Sequence, residues 1–271
     1  MGPIGVFDSG YGGLTVLKEI KKVLPDCNFH YLGDNARAPY GDRSFKEVHE
    51  FTLQAVKYLF NNDCPLVVLA CNTASAKALR NIQQKFILKT KTNKRVLGVL
   101  RPSTEEIGNY SKTKSIGILG TKGTIESNSY IIEIKKFFPE VDVYQHACPL
   151  WVPLIENGNQ NTIQGKNIIK KDLETLFNKN KNIDTVLLAC THYPIIEKII
   201  REHLTKSVRI ISQGELVANK LKDYLIRHPE LDSKVLKNGS IIFETTECAE
   251  NFNRQASILL GQRVESKKMK L

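Results

Sequence analysis

The sequence predicts an α/β protein: two pseudo-symmetric, doubly wound α/β domains with mainly parallel sheets facing each other across a cleft. Three observations predict it. Short apolar runs alternate with helical periods along almost all of the 271 residues, as strands covered on both faces by helices do. That length corresponds to about two domains of roughly 150 residues. Two motifs also return in the same order at similar separations. Ile4-Gly5-Val6-Phe7-Asp8-Ser9-Gly10 is echoed by Ile116-Gly117-Ile118-Leu119-Gly120-Thr121-Lys122-Gly123, and Leu69-Ala70-Cys71-Asn72-Thr73 by Leu188-Ala189-Cys190-Thr191-His192.

Taken in chain order, strands are expected at 4–8, 29–33, 66–71, 96–100, 115–120, 141–146, 185–190, 208–211 and 241–244. Each is short and mostly apolar. A glycine-rich turn leads into a helix at 14–24. Val48, Phe51, Ala55 and Leu59 recur at helical spacing, and Ser44 with Glu47 reads as the capping box that starts that helix. Ser103 with Glu106 reads as a second capping box. Helices are also expected at 74–86 and from Pro194, a helix-opening residue. The last strands come after the second cysteine motif and need a sheet to join. The chain is therefore expected to cross back, giving a first domain of 1–98 plus 212–271 and a second of 99–211.

Composition narrows the classes. With 41% hydrophobic and 25% charged residues the chain is not a disordered one. No apolar run approaches the roughly 18 residues a membrane helix needs. Residues 1–20 lack a signal-peptide pattern, and Val6 breaks the myristoylation motif that Met1-Gly2 would begin. A cytoplasmic protein without a membrane partner is expected. The six cysteines form no C-x-x-C, which excludes zinc ribbons and thioredoxin-like motifs and leaves free thiols. The net charge of +11 favours anionic partners. However, Lys and Arg are spread out, with modest clusters at 89–95 and 267–270, and no nucleic-acid-binding motif is present. A solvated basic surface is the plainer account, and nucleic acid is not expected as a primary partner.

Both cysteine motifs lie where a strand gives way to a helix, and ligands in such sheets sit beyond the carboxyl ends of strands. If the halves face each other, Cys71 and Cys190 line one cleft from opposite sides. The positive end of a helix behind each thiol favours thiolate, lowering the pKa from about 8.5 towards neutrality. One such cysteine alone is more often a buried strand-end residue; the repetition points to chemistry. Cys27, Cys64, Cys148 and Cys248 have no echo and read as structural or incidental.

Asp8-Ser9-Gly10-Tyr11-Gly12-Gly13 is a tight turn whose glycines let backbone N–H groups approach a ligand. It is not G-x-G-x-x-G, so a dinucleotide reading is weak. Asp8 can bind an amino group or polarise a neighbouring thiol. His192 is either a helix-start residue or the proton partner of a reactive thiol, and Cys-x-His finds no matching ligands for a metal. Pro39-Tyr40-Gly41 is a surface turn or a substrate-contacting wall. Glu156, placed near a helix end, would by itself be solvated.

Together these segments resemble the glutamate racemases of the aspartate/glutamate racemase family. The resemblance rests on Gly5-Val6-Phe7-Asp8-Ser9-Gly10 with Gly12-Gly13-Leu14-Thr15-Val16, and on Tyr31-Leu32-Gly33-Asp34 with Pro39-Tyr40-Gly41. It rests further on Ala70-Cys71-Asn72-Thr73-Ala74-Ser75, Gly120-Thr121-Lys122-Gly123-Thr124 and Cys190-Thr191-His192-Tyr193-Pro194, and runs from about residue 3 to 261. The Cys-Thr-His order is closer to glutamate racemases than to aspartate racemases, whose second cysteine is usually followed by Thr-Glu. The resemblance implies a racemisation that uses no cofactor and no metal, supplying D-glutamate for peptidoglycan and cell shape. It gives Cys71 the α-proton of D-glutamate and Cys190 that of L-glutamate, with Asp8 assisting Cys71 and His192 assisting Cys190. It assigns Ser9, Tyr40, Gly41, Asn72, Thr73, Thr121, Thr124 and Thr191, together with Asp8 and His192, to the substrate, and Glu156 to orienting His192 or the ammonium.

The residues themselves suit that chemistry. Inversion without a cofactor needs a base on one face and an acid on the other, so one cysteine must be thiolate while the other is thiol. Hydroxyls and backbone N–H groups can stabilise charge developing on the α-carboxylate. There are departures: Arg101 stands where the family pattern is acidic, near the expected crossover, and Gly120 and Ala189 replace commoner Ala and Gly. Aspartate or hydantoin as substrate, and a nucleic-acid-binding role for the basic surface, are the alternatives. A homodimer is the default assembly.

Overall fold

The computed structural model describes residues 1–90 and 92–271; Lys91, within the basic cluster expected at 89–95, lies outside them. Among the described residues the strands, in chain order, are β1 (Ile4–Asp8), β2 (Phe29–Gly33), β3 (Leu66–Leu69), β4 (Arg95–Gly98), β5 (Ser115–Gly120), β6 (Asp142–Ala147), β7 (Thr185–Ala189), β8 (Arg209–Ser212), β9 (Ile241–Thr245) and β10 (Ser266–Lys268). They form a six-stranded sheet in the order β10-β9-β2-β1-β3-β4 and a four-stranded sheet in the order β6-β5-β7-β8. Every strand pairing is parallel. The α/β class with two parallel sheets is as the alternation of runs predicts.

The order β2-β1-β3-β4 in one sheet is repeated as β6-β5-β7-β8 in the other, the structural counterpart of the echoed motifs. In each sheet the chain steps to one side of the central strand and then returns to the other. Winding therefore reverses between β1 and β3, and between β5 and β7. Helices following those strands leave in opposite directions, and a crevice opens at the carboxyl ends. The central strands β1, β3, β5 and β7 are buried along their whole length, because helices cover both faces.

The helix Gly13–Val23 buries Leu14, Val16, Leu17 and Ile20 and packs along Gln213–Arg227, which buries Val217, Ala218, Leu221 and Leu225. One apolar core continues from Ile4 and Val6 through these helices to Ile116 and Ile118, so the two sheets are joined by shared burial. The helix Phe45–Asn61 starts as expected: Ser44 Oγ accepts from Glu47 N at 3.2 Å while Glu47 Oε2 accepts from Ser44 N at 3.0 Å. No helix among the described residues is long and apolar enough to cross a membrane.

Some boundaries differ from expectation. Ser103 does not start a helix; it lies inside Leu100–Thr104, and its hydroxyl donates to the Val99 carbonyl at 3.1 Å. Burial of Leu100 and the compatibility of Pro102 with a first turn start that helix earlier. Glu106 is instead held by Lys220 Nζ at 2.7 Å. β4 stops at Gly98 for the same reason. The helix after Cys71 is broken into Asn72–Lys77 and Leu79–Asn81 and continues into a π-helical turn, Ile82–Ile87. β10 is a short, charged edge strand, which an apolar pattern does not reveal.

Candidate active site

β3 and β7 each end just before a cysteine, so Cys71 and Cys190 occupy equivalent places beyond the carboxyl ends of equivalent strands. Both sulfurs line one cleft. The cleft is drawn in tight, with open space of about 20 Å³, room for about one water molecule. A wider groove between Thr15, Arg209, Glu215 and Leu259 contains neither cysteine.

Cys71 caps the helix Asn72–Lys77. Its Sγ accepts from Ala74 N at 3.4 Å and lies 3.5 Å from Ser9 Oγ. The expected thiolate does not follow. Burial pushes the Cys71 pKa up to about 12, and the nearby Asp8 charge adds to it; Ser9 and Ala74 offset only part. The local argument from a helix N-terminus is correct in sign but is outweighed by desolvation. Cys71 is thus held as a thiol.

Across the cleft His192 is buried, and its Nε2 lies 2.9 Å from Glu156 Oε1. Burial opposes its protonation, but the Cys190 sulfur and Glu156 outweigh burial and push its pKa up to about 10. The two walls are therefore chemically unequal: a thiol on one side, a cysteine sulfur beside a protonated imidazole on the other.

Asp8 is fully buried between the halves. Its Oδ1 accepts from Gly10 N at 2.9 Å and its Oδ2 from Thr191 Oγ1 at 3.2 Å. Burial raises its pKa, against the lowering influence of His192. Gly12 makes this close approach possible: a Cβ there would come within 2.3 Å of Thr191 Oγ1 and 2.5 Å of His192 Nδ1. A second contact between the halves is a triangle of hydroxyls. Thr73 Oγ1 lies 2.9 Å from Thr121 Oγ1 and 3.4 Å from Thr124 Oγ1, and Thr121 lies 3.1 Å from Thr124. Gly123 N donates to Gly41 O at 2.8 Å beside it.

Of the residues the sequence places at the site, Ser9, Tyr40, Gly41, Asn72, Thr73, Thr121, Thr191, His192 and Glu156 line the cleft with both cysteines. Asp8 and Thr124 stand behind the lining, in contact with Thr191 and Thr121. Tyr40 is buried and donates its hydroxyl to Asp34, so its ring and backbone are what it offers the cleft. Val152, one helical turn before Glu156, also lines the cleft; the apolar run around it gave no sign of this. Arg101 is exposed and pairs with Glu105 at 2.7 Å, at the start of the crossover.

Among the described residues one trio of metal-donor type, His146, Cys148 and Asp172, lies within 4.8 Å. Its Asp172 is already held by His146 Nε2 at 2.9 Å and Trp151 Nε1 at 2.7 Å. Tyr193 donates to the Cys148 carbonyl at 3.1 Å and packs on Trp151, so the group supports the Cys190 loop from behind. Cys27 and Cys64 are buried away from the cleft lining, and Cys248 is exposed.

The chain is similar to known proteins along nearly its whole length. A family model described as Asp/Glu/Hydantoin racemase matches residues 5–221. Glutamate racemase 2 of Caldanaerobacter subterraneus subsp. tengcongensis is 40% identical over 266 residues, 97% of this chain and 95% of that one. The crystal structure of glutamate racemase isoform RacE1 from Bacillus anthracis superposes with a TM-score of 0.90 at 34% identity, covering 100% of this chain and 98% of the other. That of glutamate racemase from Francisella tularensis in complex with D-glutamate gives 0.87 at 31% identity, covering 99% and 97%.

Proposed function

The chain belongs to the Asp/Glu/Hydantoin racemase family, and on that premise we propose that it is a glutamate racemase in which Cys71 and Cys190 act on opposite faces of one α-carbon. The observation that carries this reading is the placement of both sulfurs on one cleft from repeated halves of the fold. Each sulfur lies near a titratable group that this reading assigns as its proton partner: Asp8 for Cys71, and His192, held by Glu156, for Cys190.

The α-proton of an amino acid is very weakly acidic, so removal needs a base within reach and stabilisation of the charge left behind. With L-glutamate, Cys190 as thiolate takes the proton. The electron pair of the broken C–H bond stays on the α-carbon and delocalises into the α-carboxylate. The Cys71 thiol then delivers its proton to the opposite face, leaving Cys71 as thiolate. One S–H bond forms and one breaks, so atoms and charge balance. D-glutamate runs the same steps backwards. The high pKa of Cys71 makes it an acid at rest, and the imidazolium of His192 is the natural counter-ion for thiolate at Cys190. Ser9, Asn72, Thr73, Thr121 and Thr191 supply uncharged donors along the cleft, and Glu156 holds His192 in place.

A cleft with room for about one water cannot take up an amino acid as it stands. The two units, 1–98 plus 212–271 and 99–211, part about the crossovers to admit substrate and close again over it. Kinship further supports D-glutamate made for peptidoglycan with no pyridoxal phosphate or metal; a homodimer and a cytoplasmic location stand as expectations from the sequence.

The test is direct. Purified protein given L-glutamate without added cofactor should drive the circular dichroism of the substrate towards zero, and should exchange the α-hydrogen in D₂O. Cys71→Ser and Cys190→Ser should each nearly abolish turnover. Racemisation at full rate in both single variants contradicts the two-base reading. A faster rate on aspartate than on glutamate overturns the choice of substrate.

A further inference from the structure

Gln213 is the first residue of the helix Gln213–Arg227, where the chain leaves β8 and returns to the first sheet. Its side chain is buried. The amide Nε2 lies 2.6 Å from Tyr130 OH, 2.7 Å from Ser103 Oγ and 3.3 Å from the Val99 carbonyl. Val99 and Ser103 stand at the outward crossover, just after β4. One amide thus ties both crossovers together. Tyr130, fully buried, passes the link on by donating its hydroxyl to Asn72 Oδ1 at 2.5 Å. Asn72 follows Cys71 and lines the cleft, and its Nδ2 is buried without a hydrogen-bond partner.

The direction of every bond in this chain is fixed by its anchor. The single Ser103 hydroxyl proton goes to the Val99 carbonyl, so Ser103 must accept from Gln213 and the Gln213 atom facing it must be the nitrogen. The two protons of that nitrogen serve the short contacts to Ser103 and Tyr130, and the 3.3 Å approach to Val99 has no proton of its own. Tyr130 likewise accepts from Gln213, which leaves its single proton for Asn72. Asn72 is then obliged to present its oxygen to Tyr130 and its unspent N–H groups elsewhere, and the cleft is where an anionic substrate would meet them.

We infer that Gln213 and Tyr130 are positioning residues, and that they hold Asn72 with its Nδ2 ready to donate to a substrate carboxylate only while the two crossovers are drawn together. The inference rests on the glutamate racemase reading. It adds to it a link between the hinge and substrate binding. Tyr130 follows the first crossover and Asn72 precedes it, so opening of the cleft breaks the Tyr130–Asn72 bond and releases the Asn72 amide to turn.

The experiment is steady-state kinetics on both glutamate enantiomers for Tyr130→Phe, Asn72→Ala and the double variant, with a thermal melt of each. Tyr130→Phe should raise KM about tenfold or more with kcat changed less than about threefold, since Asn72, no longer held, loses its charge-assisted hydrogen bond to the substrate carboxylate while the cysteines are untouched. Adding Tyr130→Phe to Asn72→Ala should raise KM no further, because the relay acts only through Asn72. Gln213→Met serves as a second route, with the same rise in KM. An unchanged KM in Tyr130→Phe, or KM effects that multiply in the double variant, overturns the relay while the racemase reading stands. Failure of the unaltered protein to act on glutamate removes that reading, and the relay with it.

Discussion

Replacing Glu156 by Gln removes one charge 2.9 Å from His192 Nε2 and leaves the size of the side chain unchanged. In the folded protein the His192 pKa stands at about 10, well above its ordinary 6.5, because Cys190 and Glu156 together outweigh burial. Two unit charges about 4 Å apart at an effective dielectric of about 20 attract by about 4 kcal/mol. The Glu156 side chain is 28% exposed, so solvent reduces that figure. A loss of roughly 1.5–3 kcal/mol corresponds to about one to two pH units. Glu156→Gln should therefore bring the His192 titration down to roughly pH 8–9. The sign for stability follows. A raised histidine pKa stabilises the fold fully below about pH 6.5, and the contribution fades as pH rises through about 10. In the variant the fading ends one to two units earlier. The assay is the chemical shift of the imidazole ring protons against pH, with the alkaline limb of L-glutamate turnover measured in parallel. A His192 titration that does not move in Glu156→Gln refutes the assignment of Glu156 as its partner.

Three further outcomes test separate parts of the structure. Alkylation of Cys71 by iodoacetamide, followed by peptide mass spectrometry, should rise about tenfold per pH unit from pH 7 to 10, since its pKa of about 12 keeps thiolate scarce throughout; a plateau near pH 8 contradicts the effect of burial. Gly12→Ala places a Cβ against Thr191 and His192 and should lower kcat/KM by about 100-fold as the two halves are pushed apart; near-normal kinetics would show that the halves need not approach so closely. Ser44→Ala removes the capping box of Phe45–Asn61, far from any reacting atom, and should cost about 1 kcal/mol, a fall in Tm of about 2–4 °C, with kcat unchanged.

Much of this architecture is legible in the sequence because the central strands are buried on both faces. β1, β2 and β5 begin and end where their apolar runs do. The echo of Asp8-Ser9-Gly10 and of the two cysteine loops is legible for the same reason: a repeated βα junction has to repeat its turn residues. What escapes is set by partners distant in sequence. Glu156 and His192 meet across 36 positions, and Thr73 and Thr121 across 48. The resemblance to a family suggested such neighbours; hydrophobic periodicity does not. Val152 faces the cleft from an apolar run that reads as core. The Ser103 capping box fails because burial of Leu100 starts its helix sooner. The protonation of Cys71 is the sharpest case. A helix N-terminus is a local feature that sequence reveals, whereas the desolvation that overrides it is produced by packing from both halves.

The central claim concerns two sulfurs and one carbon, and a crystal structure with bound D-glutamate tests it most directly. The account predicts Cys71 Sγ and Cys190 Sγ on opposite faces of the α-carbon, each within about 3.5–4 Å of it. It also predicts carboxylate oxygens against the threonine hydroxyls and Asn72 Nδ2. An α-carbon reached by only one of the two sulfurs, or by both from the same face, would contradict it.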